Sequence, residues 1–178
     1  QTCALPIFLM AFDDDDEIGI NYFKTEIQPW LDEKEVHYSA KLFKRLGYQG
    51  LNIYYNTLAQ DASADWFFVW NDDSVMETSG WDNVVRKYNN QFKLLKIHTH
   101  NEHPYSIFPI VPKAWYDLTG YLSRHQMIDA ELSQIAYLID VIEIVDIYAT
   151  HERPDLVGKE EDETDKARVR FEGNPMNP

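Results

Sequence analysis

Two apolar runs in this chain end in carboxylates. Ile7-Phe8-Leu9-Met10-Ala11-Phe12 leads into Asp13-Asp14-Asp15-Asp16, and Trp66-Phe67-Phe68-Val69-Trp70 leads into Asn71-Asp72-Asp73. Each run has the length and continuity of a buried β-strand. In an open α/β sheet, ligands bind in the crevice outside the carboxyl ends of the strands. Carboxylates gathered there repel one another unless a cation sits among them. Hard ions such as Mg2+ and Mn2+ suit such oxygen donors. Mg2+ often takes only one or two carboxylates and completes its shell with phosphates and water. The acidic strand ends therefore point to a divalent metal and a phosphorylated ligand. For the Asp13–Asp16 run, a solvated turn or a helix start ahead of Ile18 is the alternative.

The composition narrows the partners. The chain has 178 residues, a formal net charge of −14, and 44% apolar and 14% aromatic residues. That length and apolar content suit one compact domain with a real core. The negative charge argues against nucleic acid, whose phosphates want Lys and Arg. A bound cation would reconcile the same charge with an anionic nucleotide. The longest apolar stretches are strand-sized, so no membrane span is expected in this sequence. Cys3 is the only cysteine, which excludes a disulfide framework and a cysteine-built zinc site and is compatible with a reducing, cytoplasmic setting.

The elements that must position the carboxylates alternate between strand and helix. Ile18 to Glu35 is expected to be helical with a break near Pro29. His37 to Leu46 reads as a helix closed by Gly47, and Gly50 to Ala62 as a helix with Leu51, Tyr54, Tyr55, Leu58 and Ala62 on one face. Trp81 to Phe92 reads as helix, and Leu94–His98 and Ile107–Val111 as strands. Pro112 opens a helix over Lys113–Leu122. A further helix starts at Asp129 with Leu132, Ile135, Ala136 and Ile139 on one stripe, and Ile142–Tyr148 is a late strand before His151. The expected class is α/β, Rossmann-like, with a mainly parallel central sheet flanked by helices. Residues 1–7 carry no charge and are too short for a signal peptide. They read as a non-native leader, with native sequence starting near Phe8 and the first strand missing upstream. Residues 8–155 read as the domain, and 156–178 as a charged C-terminal helix or tail.

Ala62-Ser63-Ala64-Asp65-Trp66-Phe67-Phe68-Val69-Trp70-Asn71-Asp72-Asp73 resembles the central segment of GT-A glycosyltransferases, the family 2 type above all. There a small-residue turn precedes an apolar strand that ends in a metal-binding Asp-x-Asp. Asn56-Thr57-Leu58-Ala59 resembles the helix before that strand. Phe12-Asp13-Asp14 resembles the second strand, whose terminal Asp contacts the nucleoside. Phe108-Pro109-Ile110-Val111-Pro112-Lys113, Gly120-Tyr121 and Asp129-Ala130-Glu131-Leu132 follow the acceptor half in order. The resemblance spans roughly residues 8 to 152. It departs at Asn71, which replaces the first Asp of the motif, and in lacking the family's first strand and nucleotide-binding loop.

The resemblance implies transfer of a sugar from a nucleoside diphosphate sugar to a carbohydrate or other hydroxyl acceptor, with inversion. It implies Asp73 and His151 as ligands of Mn2+ or Mg2+, and Asp129 as the base that opens its helix. Asp13, Asp14, Asn56, Asp72, Gly120 and Tyr121 would contact the nucleotide or substrate. Lys41, Lys44 and Arg45 either offset phosphate charge or form a solvated face, and Trp81 and Tyr121 either stack on a sugar or pack in the core.

Two rival functions stand beside this one. His98-Thr99-His100-Asn101-Glu102-His103 resembles the His-x-His-x-Asp-His motif of zinc-dependent metallo-β-lactamase-like hydrolases, with Glu102 in place of Asp and Pro104 in place of glycine. The other rival is a non-catalytic, carbohydrate-binding domain of GT-A type.

Overall fold

The computed structural model describes residues 6–100, 103–152, 166–168 and 170. Most of the leader, most of the charged tail, and Glu102 lie outside the described residues, as does Asn101.

β1 (Phe8–Asp13) and β2 (Tyr38–Phe43) pair in parallel, Phe8 opposite Tyr38 through Asp13 opposite Phe43. Between them runs one continuous helical stretch. α1 (Glu17–Tyr22) passes into a wider π turn over Phe23–Ile27 and then α2 (Gln28–Glu33). The π turn answers Pro29, which has no N–H to donate and whose ring crowds the preceding turn. The expected break is thus a change of helical pitch rather than an end. Phe23, in that turn, packs its ring on Phe12 at 5.1 Å and on Tyr38 at 5.9 Å.

His37–Leu46 is not helical. Its centre is β2, because the segment finds a ladder partner in β1. The tertiary pairing overrides a sequence whose apolar spacing fits either period. Gly47 has φ +68° and precedes a short 3-10 turn at Tyr48–Gly50, so it opens the next helix instead of closing one. α3 (Leu51–Gln60) follows as expected.

Five strands form the second sheet: β3 (Trp66–Phe68), β4 (Ser74–Met76), β5 (Leu94–Thr99), β6 (Ile110–Pro112) and β7 (Ile142–His151), in the order β3-β6-β5-β7-β4. The sheet is mixed. β5 and β7 are parallel, while β6 runs against both β3 and β5, and β4 runs against β7. The expectation of a mainly parallel sheet fails here because β6 returns beside β5 with no helix between them, and such a return gives an antiparallel neighbour. α4 (Trp81–Arg86), α5 (Lys113–Thr119) and α6 (Ile128–Leu138) complete the fold.

The alternation of side chains along the strands splits the core in two. Phe67, Val69, Leu94 and Val111 face Ala59, Trp115, Leu132 and Ala136 from α3, α5 and α6. Leu95, Ile97, Ile110, Val145 and Ile147 face Val85 of α4, together with Trp66, Phe68 and Trp70. The Trp66–Trp70 run is therefore apolar on both faces because both faces are covered. Trp81 packs edge-on against Phe68 at 5.2 Å, which assigns it to the core.

Leu132 is fully buried between α6 and the sheet. Leu132→Ala should lower unfolding stability by about 2–5 kcal/mol, as for other buried leucines. Urea denaturation checks this, and a loss well below 1 kcal/mol would contradict the packing of α6 described above.

Candidate active site

β3 delivers Asn71-Asp72-Asp73 to its carboxyl end, and the chain then turns directly into β4. β4 pairs with the end of β7, Ser74 opposite His151. The Glu152 amide donates to the Asp73 carbonyl at 2.7 Å, extending that ladder by one step. The result is a side-chain contact between residues 78 apart in sequence, His151 Nε2 to Asp73 Oδ2 at 3.1 Å. His151 is buried and Asp73 half-buried. The His151 ring is held edge-on by Phe108 at 5.1 Å, and Phe108 packs on Trp70 at 4.7 Å. Burial raises the proton affinity of Asp73. The hydrogen bond and charge of His151 outweigh it, with help from the Asp73 amide and Ser74, and hold the carboxyl below its ordinary value. His151 Nδ1 is buried without a hydrogen-bond partner among the described residues.

This pair fits the Mn2+ or Mg2+ expected from the sequence in one specific sense. A carboxylate and an imidazole are suitable donors for Mn2+, and two protein ligands leave the remaining positions to phosphate oxygens and water. Among the described residues, no group of three or more His, Cys, Asp or Glu is disposed to hold a metal unaided.

Asp72 is exposed beside the pair. Asp129 stands in the first turn of α6, and Met127, not Asp129, occupies the cap position. Tyr55 of α3 reaches the start of the acidic segment. Its hydroxyl lies 3.4 Å from the Trp70 carbonyl and 3.4 Å from Asn71 Oδ1. Desolvation, then the charges of Asp72, Asp129 and Asp73, push its pKa up to about 12. The charges of Asp72, Asp129 and Asp73 thus all reach this one hydroxyl, after burial as the larger cause. The sequence reading placed Tyr55 only on an apolar helix face; a hydroxyl on such a face was the available signal.

The Asp13–Asp16 run is engaged elsewhere. Asp13 accepts a hydrogen bond from the Tyr54 hydroxyl at 2.5 Å and lies 3.7 Å from the Arg45 guanidinium. Asp14 accepts from the Arg45 amide, Asp15 pairs with the Arg45 side chain, and Asp16 caps α1 through the Gly19 amide. No hydrogen bond or ion pair joins Asp13 or Asp14 to Asp73 or His151 among the described residues. Lys41 and Arg45 lie on or just after a strand, not on a helix, and pair with Asp61 and with Asp13 and Asp15.

Asn56 does structural work. Its Nδ2 donates to the Ser123 carbonyl at 2.7 Å, and its Oδ1 accepts from the Leu122 amide at 2.7 Å and the Ser123 amide at 3.3 Å. With its amide spent on the backbone, Asn56 fixes the loop before α6 rather than offering itself to a ligand. Gly120, at φ +78°, ends α5 in the left-handed conformation that glycine favours. Tyr121, just after it, carries the Arg124 guanidinium over its ring at 4.5 Å.

The histidine-rich segment assembles no zinc site among the described residues. His98 stacks on Tyr148 at 4.8 Å, His103 packs on Tyr105 at 5.4 Å, and His100 is exposed. Glu102 lies outside the described residues.

No protein-family model matches the sequence, and no curated protein does. Among solved structures, the fold is similar to the catalytic domain of Drosophila β1,4-galactosyltransferase 7, solved in complex with xylobiose. The match has a TM-score of 0.50 at 14% identity and covers 92% of this chain and 78% of that one. The chain has the fold of a glycosyltransferase catalytic domain, α/β with a mixed sheet flanked by helices.

The raised proton affinity of Tyr55 carries a sign. A group protonated more tightly in the folded state adds stability that is full below its unfolded value, near 10, and is lost as pH rises through about 12. Alkaline unfolding should therefore steepen over that interval, and Tyr55→Phe should flatten it. Equal slopes in wild type and variant would show that the hydroxyl is not in the field of these carboxylates.

Proposed function

We propose that the protein transfers a sugar from a nucleoside diphosphate sugar to an acceptor hydroxyl, using a divalent cation held by Asp73 and His151. The observation that carries this reading is the meeting of those two residues at 3.1 Å across 78 positions of sequence. It occurs just past an apolar strand, where acidic residues follow, in a fold similar to that of a glycosyltransferase catalytic domain. The xylobiose bound to that similar structure supports a carbohydrate as the acceptor class.

When bound, the cation would offset negative charge on the donor diphosphate, which also reconciles an anionic donor with a chain of net charge −14. Asp72 would stand by as an exposed carboxylate beside the pair, and Asp13 at the end of β1 as the contact to the nucleoside. Asp129 is the residue we assign as base. It takes the proton of the acceptor hydroxyl as the acceptor oxygen bonds to the anomeric carbon. The bond to the diphosphate breaks, its electron pair leaving with the diphosphate. Attack opposite the leaving group inverts the anomeric centre. The helix-capping role does not compete for Asp129, since the cap position belongs to Met127. Tyr55, neutral at physiological pH, keeps a protonated hydroxyl among the three carboxylates instead of adding a fourth negative charge.

Two substitutions separate the roles. Asp73→Asn should abolish metal-dependent binding of a nucleoside diphosphate while the melting temperature stays near wild type, as read by calorimetry with and without Mn2+. His151→Ala should weaken the same binding. Unchanged affinity in Asp73→Asn would sink the assignment. Asp129→Asn should keep nucleotide affinity and lose turnover by about 10²-fold or more, the scale of a placed general base. Transfer at the wild-type rate would remove Asp129 as the base.

A further inference from the structure

The loop from Tyr121 to Met127 is clamped from two sides. Asn56 holds Leu122 and Ser123 from α3, and Asn52 donates to the Arg124 carbonyl at 3.0 Å. From α6, Glu131 Oε2 accepts from the amides of Arg124 and His125, each at 2.9 Å, and from the Ser123 hydroxyl. The backbone is thus fixed, and the side chains it displays are Arg124 and His125, both exposed. They line a cavity of about 470 Å³, widely open to solvent, together with Met127, Ala130, Glu131 and Gln134. That volume is in the range of small-molecule sites.

Arg124 places a cation at this cavity in an acidic chain. Acidic residues outnumber Lys and Arg by 30 to 16. Arg45 pairs with Asp13 and Asp15, and Arg86 with Asp82. Arg124 pairs with no carboxylate among the described residues. Its guanidinium lies over the Tyr121 ring, which orients the planar group while leaving its N–H edge to donate to a partner. The acid in the lining, Glu131, has Oε2 turned to the loop backbone. The Gln126 side-chain amide, in the same loop, is a buried donor without an acceptor among the described residues. An oriented arginine and a histidine at an open cavity beside the start of α6 have the donor chemistry that an oxyanion takes.

We propose that Arg124, oriented by Tyr121 and flanked by His125, binds an anionic group in this cavity, namely the carboxylate of an acidic sugar that serves as acceptor. The identification of the occupant as acceptor rests on the transferase reading.

The chemistry of an oxyanion could also come from the donor phosphates, and the test separates the two. Binding of glucuronate, glucose and pyrophosphate is measured by calorimetry or ligand-observed NMR on wild type, Arg124→Gln and Arg124→Lys. Mn2+-dependent binding of a nucleoside diphosphate is recorded on the same samples. Wild type should bind glucuronate more tightly than glucose. Arg124→Gln should weaken glucuronate at least tenfold and leave glucose and the nucleotide unchanged, and Arg124→Lys should recover part of the loss. Equal affinity of wild type for glucuronate and glucose, or unchanged glucuronate binding by Arg124→Gln, would overturn the site. A loss confined to pyrophosphate would overturn the acceptor assignment. Failure of the transferase reading shows separately, as absence of Mn2+-dependent nucleotide binding in wild type.

Discussion

The site depends on one short antiparallel ladder. Three residues of β4, Ser74–Met76, pair with Ala149–His151 at the end of β7. Without that register, Asp73 at the end of a strand and His151 at the end of the chain's last described strand would have no reason to meet. With it, the Asp73 carbonyl and the Glu152 amide bond at 2.7 Å, and the two side chains face one another. A slip of one residue would turn His151 to the opposite face of the sheet. The aromatic stack behind it, Trp70 on Phe108 and Phe108 on His151, opposes such a slip.

Two other constraints build outward from this ladder. α3 carries Tyr54, Tyr55 and Asn56 in succession, and each reaches a different part of the molecule. Tyr54 donates to Asp13 on β1, Tyr55 lies at the Trp70–Asn71 turn, and Asn56 clamps Ser123 before α6. One helix thus registers the small sheet, the acidic strand end and the loop that carries α6. The second constraint is electrostatic. Burial and the charges of Asp72, Asp129 and Asp73 all keep the Tyr55 hydroxyl protonated.

Much of this was legible in the sequence, for reasons that can be given residue by residue. Trp66–Trp70 announced itself as a two-face-buried strand because it is apolar at every position, and Asp72-Asp73 stood out as the carboxylates at its end. α3 and α6 were legible from their apolar stripes. β2 was not, since Tyr38–Phe43 owes its strand state to β1, a partner more than twenty residues away that no local pattern encodes. β4 was missed because three residues carry too little periodicity to read. The sense of the sheet was missed because direction is set by the connection from β5 to β6, not by composition. At the site, Asn56 was read as a ligand contact and is a backbone clamp. Its position on the buried side of a helix, where a primary amide must find partners, is consistent with either role until the loop opposite is seen.

The central claim is that Asp73 and His151 together hold the cation on which donor binding depends. Manganese is paramagnetic and broadens nearby nuclei, so the histidine side-chain resonances of isotope-labelled protein, titrated with Mn2+ and a nucleoside diphosphate, test it most directly. The account predicts that the His151 signals broaden first, at low Mn2+, and that Asp73→Asn abolishes the effect. Selective broadening of His98 or His103 with His151 untouched would contradict it.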